Sequence, residues 1–263
     1  MSDILARILD TKRAEIRAVQ AAVPPAEIER RARAAPPARD FVGALRARIA
    51  AGRPAVIAES KRASPSRGLL REPYDPAAIA RSYERGGAAC LSVLTDREYF
   101  GGAPEHLAAA RAACALPVLR KDFMIDAFQV YEARAMGADC ILLIAGAIEL
   151  PLMQELEEVA LGLEMAVLVE VHDGPELDSA MQLRTPLVGI NNRDLRSFET
   201  RLETTLQLQA RVSAPRVVVS ESGIGDRNDV LRLWQRGVHA YLIGEALMRA
   251  PDPGVALSEL IDI

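Results

Sequence analysis

Eight short runs of aliphatic and β-branched residues recur along this chain, and that recurrence limits what it can fold into. They cover 55–59, 90–94, 117–120, 140–144, 166–170, 187–190, 216–220 and 240–243. Helical patterns fill the gaps, for example over 76–86, 127–136, 150–161 and 227–237. Glycine often precedes the next run, at Gly86-Gly87, Gly137, Gly162 and Gly237, as expected of a helix C-terminus that turns through left-handed backbone. Strands that alternate with helices favour a parallel sheet, because parallel neighbours need a long crossover. Eight such units predict an α/β fold of the (β/α)8 TIM-barrel type. An open doubly wound sheet is the competitor. Its first strand usually leads into Gly-x-Gly-x-x-Gly, whereas here the chain runs Glu59-Ser60-Lys61-Arg62-Ala63-Ser64-Pro65.

A different pattern precedes the first run. Ile4, Leu5, Ile8, Leu9, Ile16 and Val19 make a helical stripe, with Ser2 or Asp3 available as N-cap. A Pro- and Arg-rich stretch follows from Pro24 to Arg39, and a second helical pattern covers 40–51. Residues 1–50 therefore read as an N-terminal helical extension and 51–263 as the barrel, in one domain over 1–263. Half of the residues are apolar, enough for a sizeable core.

Composition narrows the function. A net charge of −4 and 4% aromatics argue against a broad nucleic-acid surface or a base-stacking platform. Cys90, Cys114 and Cys140 are odd in number and widely spaced, which suits a reducing compartment and buried small side chains. Charges run through residues 1–20, unlike a secretory leader, and the longest apolar run is too short to span a membrane. The cytoplasm is the expected location.

Lysine is scarce. Only Lys12, Lys61 and Lys121 occur among 32 Lys+Arg residues, which leaves 29 arginines. Arginine carries surface charge as well as lysine does, but only lysine is readily tuned to give up a proton near neutral pH. Lys61 and Lys121 each follow an apolar run. Lys12, on the first helix, reads as incidental, and its replacement by alanine as silent.

In a (β/α)8 barrel, catalytic groups gather at the C-terminal strand ends. The runs here end in Glu59 and Lys61, in Lys121, in Glu170, in Asn191 and Asn192, in Ser220-Glu221-Ser222-Gly223, and in Gly244-Glu245. Each has a structural alternative: Glu170 as an arginine's partner, Asn191 as a turn cap, Lys121 as a surface charge. Together they must be solvated, paired or in use. Two amines and two carboxylates at one mouth suit acid–base chemistry, with a lysine as acid and a glutamate as base. Ser222-Gly223 and Gly244-Glu245 follow the last two strands, where such barrels seat phosphate. Glu245 departs from an ideal phosphate loop, since its carboxylate must point away. His106, His172 and His239 lack closely spaced partners, so no metal site is expected.

The runs Glu59-Ser60-Lys61-Arg62-Ala63-Ser64-Pro65-Ser66-Arg67-Gly68, Leu119-Arg120-Lys121-Asp122-Phe123, Leu168-Val169-Glu170-Val171-His172, Gly189-Ile190-Asn191-Asn192-Arg193-Asp194-Leu195 and Ser220-Glu221-Ser222-Gly223-Ile224 resemble the signatures of the indole-3-glycerol-phosphate synthase family, in the same order. The resemblance covers nearly the whole chain. It implies ring closure of 1-(2-carboxyphenylamino)-1-deoxyribulose 5-phosphate with loss of CO2 and water, in tryptophan biosynthesis. It implies no cofactor and no metal. Lys121 matches the general acid, Glu170 the base, and Lys61 the holder of the substrate carboxylate, with Glu59 orienting Lys61. Asn191 and Ser222 match polar positioning residues, with Glu221 nearby. Arg193, Gly223, Gly244 and Glu245 match the phosphate positions, with Ser64 close by. Pro65, Phe100, Phe123, Leu142 and Ile144 are the implied walls around the aromatic ring, and the N-terminal helix would cover the mouth. The implied partner is a small phosphorylated molecule, with neither nucleic acid nor membrane, and other enzymes of the pathway are candidate partners. Other phosphate-binding barrels of the pathway lack the Glu-x-Lys and Arg-Lys-Asp-Phe runs. A non-catalytic barrel would be expected to lose Lys61, Lys121 or Glu170.

Overall fold

The computed structural model describes residues 3–65, 67–194 and 197–263. The suggested cap Ser2 and the motif positions Ser66 and Leu195 lie outside them. Eight parallel strands close into a barrel: β1 Ala55–Ser60, β2 Cys90–Leu94, β3 Val118–Lys121, β4 Cys140–Ile144, β5 Ala166–Val171, β6 Leu187–Asn191, β7 Val217–Glu221 and β8 Ala240–Ile243. Each pairs with its sequence neighbour, and β1 pairs with both β2 and β8 to complete the ring. The observed strands match the eight expected runs to within a residue at either end. A short hairpin, Ala63–Ser64 against Gly68–Leu69, follows β1.

Strand residues alternate between two cores, as a period of two requires. Ala55, Ile57, Cys90, Leu119, Cys140, Leu142, Leu168, Leu187, Val219, Ala240 and Leu242 fill the barrel interior. Their neighbours Val56, Ala58, Leu91, Val118, Ile141, Val167, Val188 and Tyr241 face outward, under the helices. Cys90 and Cys140 are buried free thiols, and Cys114 is half-buried.

Three helices precede the barrel: α1 Asp3–Ala22, α2 Pro25–Ala34 and α3 Phe41–Ala50. From α3, Phe41 and Leu45 pack into the interior cluster beside Ala55 and Cys90, where the strands begin, and so plug the floor. The α2 helix was not legible: its sequence reads only as a Pro- and Arg-rich stretch. Pro25 sits in the first turn, where its missing N–H costs nothing. Glu27 pairs with Arg30 and Arg31, and Glu29 with Arg33, along the exposed face. Ile28 and Ala32 are buried on the other side.

The helices between strands are α4 Pro76–Arg85, α5 Pro104–Ala113, α6 Ala127–Ala135, α7 Leu150–Gly162, α8 Gly174–Ala180, α9 Glu203–Leu208, α10 Arg227–Trp234, α11 Glu245–Arg249 and α12 Pro253–Ile261. Gly87, Gly137 and Gly237 turn through left-handed backbone after α4, α6 and α10. Gly162 does not: it is the last residue of α7, and Glu164 takes the left-handed position instead, at φ 61°. Among the described residues, no helix is long and apolar enough to cross a membrane.

Candidate active site

Inward-facing positions carry apolar side chains through most of the barrel and change character only at the C-terminal rim. Ile57 is followed two residues on by Glu59, Leu119 by Lys121, Leu168 by Glu170, Gly189 by Asn191, and Val219 by Glu221. The same alternation that fills the core therefore aims one polar group from each of five strands into one space. That space is a cavity of about 210 Å³. All seventeen site residues nominated by the sequence line it.

At its centre lies an ion cluster. Lys121 Nζ is 2.7 Å from Glu221 Oε2 and 3.1 Å from Glu170 Oε2. Asn191 Nδ2 donates to Glu170 Oε1 at 3.0 Å. His172 Nε2 lies 3.3 Å from the same oxygen, and its Nδ1 is 2.9 Å from Glu176. Lys61 Nζ is 2.5 Å from Glu59 Oε1. Glu59, Glu170 and Glu221 are each under 5% exposed, so their charges depend on these partners.

Burial alone would neutralise Lys121. The facing charges of Glu221, Glu170 and Glu59 override it and hold the ammonium form well above the usual lysine range. Burial also favours the neutral form of Glu170, but Lys121, His172 and Asn191 keep its carboxylate well below the ordinary range. Glu221 goes the other way. Burial outweighs the pull of Lys121, Glu170 adds repulsion, and the group is pushed up to about 7. Two carboxylates on one amine thus separate into an ionised group and one that holds a proton near neutrality. The sequence places Glu221 among the substrate-binding residues and gives it no part in the acid–base set, yet its contact with Lys121 is the shorter of the two.

The rim is polar on one side. Glu245 opens α11, and its carboxylate is paired within the rim rather than turned away from it: Oε1 lies 3.0 Å from Arg67 Nε and Oε2 3.2 Å from Arg193 Nη2. Ser222 and Gly223 both have left-handed backbone, φ 64° and 79°. At Ser222 that conformation is strained, and it falls where the β7 loop meets the cavity. Any side chain on Gly244 would meet Glu59, since a Cβ there would lie 2.3 Å from Oε1. Asn192 has a different job from its neighbour Asn191. It is buried and donates to Ser220, Glu221 and Ser222 while accepting from Thr205, which pins the end of β7 to β6.

The opposite side is apolar. Phe100 and Phe123 approach with ring centres 6.2 Å apart. Leu142 and Ile144 form the floor and Pro65 one edge, with Ser64 beside it. Ile4, Leu5 and Ile8 of α1 close the roof. Leu94, Asp122, Phe198, Ile224, Leu242 and Ile243 also line the cavity and were not nominated. Leu94 and Leu242 continue the inward alternation and were open to that argument. Phe198 sits in a loop, with no periodic signal.

Lys12 corrects the sequence reading. It is not incidental: it is 2% exposed, with its amine 2.8 Å from Asp96, 3.0 Å from Asp122 and 2.7 Å from Glu15. Its place on the buried face was open to the stripe argument, since Lys12 stands four residues from both Ile8 and Ile16; its carboxylate partners were not. Among the described residues, no three His, Cys, Asp or Glu side chains are grouped to hold a metal ion.

Residues 5–260 match the family model described as indole-3-glycerol phosphate synthase. A protein of that name from a species of Azoarcus is 63% identical over 262 residues, covering 99% of both chains. Another, from Dechloromonas aromatica, is 62% identical over 260 residues, again covering 99% of both. Among solved structures, the tryptophan synthase α subunit of Legionella pneumophila aligns with a TM-score of 0.61 at 12% identity, covering 84% of this chain and 96% of that one. Thiamine phosphate pyrophosphorylase of Pyrococcus furiosus aligns at 0.60 and 18% identity, covering 78% and 93%. These two likenesses speak to the barrel alone.

Proposed function

The chain belongs to the indole-3-glycerol phosphate synthase family, carboxy-lyases of tryptophan biosynthesis, and we propose that Lys121 and Glu170 are the acid and base of its ring closure. The substrate, 1-(2-carboxyphenylamino)-1-deoxyribulose 5-phosphate, spans an aromatic acid and a phosphate. The cavity offers an apolar side with Phe100, Phe123, Leu142 and Ile144, and a rim with Arg193, Ser222, Gly223 and Gly244. We read the first as the seat of the ring and the second as the seat of the phosphate.

In the first step, the ring carbon that bears the carboxylate attacks the ribulose carbonyl, and Lys121 protonates the oxygen as the carbon–carbon bond forms. An ammonium held so firmly is a reluctant acid, but the alkoxide developing on that oxygen is a much stronger base than the amine. The transfer is therefore favourable despite the carboxylates. Carbon dioxide then leaves and restores the aromatic ring. Finally the hydroxyl departs as water, protonated by Lys61, while Glu170 takes the proton from the ring nitrogen, and a proton shifts from the neighbouring methylene carbon to that nitrogen to complete the indole. Loss of CO2 and of water balances the reaction, and no electron carrier is needed. Lys61 holds the substrate carboxylate and Glu59 orients Lys61. Asn191 fixes Glu170, and Glu221 positions Lys121.

The observation that carries this reading is the placement of Lys121 at the barrel mouth, within 3.1 Å of two carboxylates and beside an apolar pocket. It brings with it a cytoplasmic location, residues 1–263 acting as one domain under the α1 roof, and other enzymes of the pathway as candidate partners. The test is direct. Purified protein should convert the substrate into a fluorescent indole product without added metal; a folded protein that forms none would refute the proposal.

A further inference from the structure

Asp96 and Asp122 each organise a turn that carries one aromatic wall of the cavity. Asp96 Oδ1 accepts from the backbone N–H groups of Tyr99 and Phe100, at 2.8 and 3.2 Å. Asp122 Oδ1 accepts from the N–H of Phe123 at 2.9 Å. The two aspartates come from different strand ends, after β2 and at the end of β3, and they share one cation, Lys12. The same helix places Ile4, Leu5 and Ile8 over the cavity. A second tether joins Thr11 Oγ1 to Tyr99 Oη at 3.0 Å, within the turn that Asp96 caps.

We propose that Lys12 is a positioning residue that fastens the roof helix and both aromatic walls around the ring-binding half of the site. This rests on the ring seat assigned above. Loss of the amine would fall unequally on the two aspartates. Asp122 keeps Arg120 at 3.2 Å and Thr95 at 2.6 Å. Asp96 has no second cation within 4.0 Å among the described residues, and it is fully buried. An unpaired buried carboxylate must take up a proton or reach water. Either change weakens Asp96 as the acceptor for the Tyr99 and Phe100 N–H groups and removes the tie between that turn and α1. The arginines at the phosphate rim, Arg67 and Arg193, pair with Glu245 instead, on the other side of the cavity.

The test is Lys12→Met in the full chain, which keeps an unbranched side chain and removes the charge. Expected are a KM raised roughly tenfold with kcat within about threefold of wild type, the signature of lost ground-state binding. Binding of anthranilate, a probe for the ring seat, should weaken about as much as KM rises. Inhibition by inorganic phosphate should stay unchanged. Amide exchange should quicken in α1 and in residues 96–100 but not in the barrel strands. A wild-type KM with α1 still protected would overturn the proposal, and so would equal weakening of anthranilate and phosphate. If Lys12→Met does not fold, Asp96→Asn retains Lys12 and Asp122 and should show the same split at smaller size. An Asp96→Asn protein with unchanged anthranilate binding would overturn the proposal. Failure of the wild type to form indole would count against the assigned reaction, whereas amide exchange reads the clamp independently of it.

Discussion

Alanine at Gly189 should disable the ion cluster without removing any of its charges. Gly189 is an inward-facing position of β6, paired in register with Glu170 of β5. A Cβ built on it would lie 2.1 Å from Glu221 Oε1, with Leu168 Cδ1 at 3.4 Å on the other side. Glu221 is 1% exposed, and its other oxygen is held by Lys121 at 2.7 Å, so it has little freedom to retreat. Restoring an ordinary contact moves the carboxylate by about 1 Å, and a misplacement of that size in a catalytic constellation costs on the order of a hundredfold in rate. Steady-state indole fluorescence is the assay, with thermal unfolding to verify the fold. Gly162→Ala is the control, because nothing lies within 4 Å of a Cβ there. It should leave kcat unchanged and, as a helix substitution, be neutral or stabilising by up to about 1 kcal/mol. A folded Gly189→Ala protein that turns over at the wild-type rate would refute the idea that Glu221 must hold Lys121 in place.

Further expectations concern pH and stability. Burial lowers the pKa of His172, but its bonds to Glu170 and Glu176 outweigh burial and raise it from 6.5 to about 10. The folded state binds that proton more tightly than the unfolded chain does. The stabilisation is therefore complete below about pH 6.5 and is lost as pH rises toward 10. The gap in Tm between wild type and His172→Gln should shrink across that window, and a gap independent of pH would contradict the assignment. Asp226 caps α10 in a reciprocal box with Asp229, two residues beyond Ile224 of the cavity wall and with no side chain on the cavity itself. Asp226→Ala should cost about 1 kcal/mol in denaturant unfolding and leave KM unchanged; a shifted KM would mean that the cap supports the site.

The two periodicities explain how much could be read from the sequence. Strand runs stand out because each must satisfy an inner and an outer core, so every position from Ala55 to Ala58 is apolar. The rim residues stand out because they break that run: after Val219, the next inward position is Glu221, where packing alone gives no reason for a charge. The helix α2 was hidden because its buried face is short, Ile28 and Ala32, and is surrounded by five charged residues that mask the apolar period. For Lys12, the spacing to Ile8 and Ile16 marks the buried face, but its partners were hidden. A buried lysine is defined by carboxylates roughly 80 and 110 residues away in sequence, and no local pattern reports them. Gly189 was quoted in a motif but gave no sign of its role, which depends on a carboxylate from the next strand. Such contacts require the closed ring, and the order of elements alone does not reveal them.

The central claim is that Lys121 delivers the proton that drives ring closure. Single-turnover indole formation by Lys121→Met, with substrate affinity measured separately, tests it most directly. The account predicts near wild-type substrate binding with indole formation slowed by at least about a thousandfold, a loss on the scale of removing both a general acid and its charge from the transition state. Indole formation within tenfold of wild type, in a folded Lys121→Met protein that binds substrate, would contradict it.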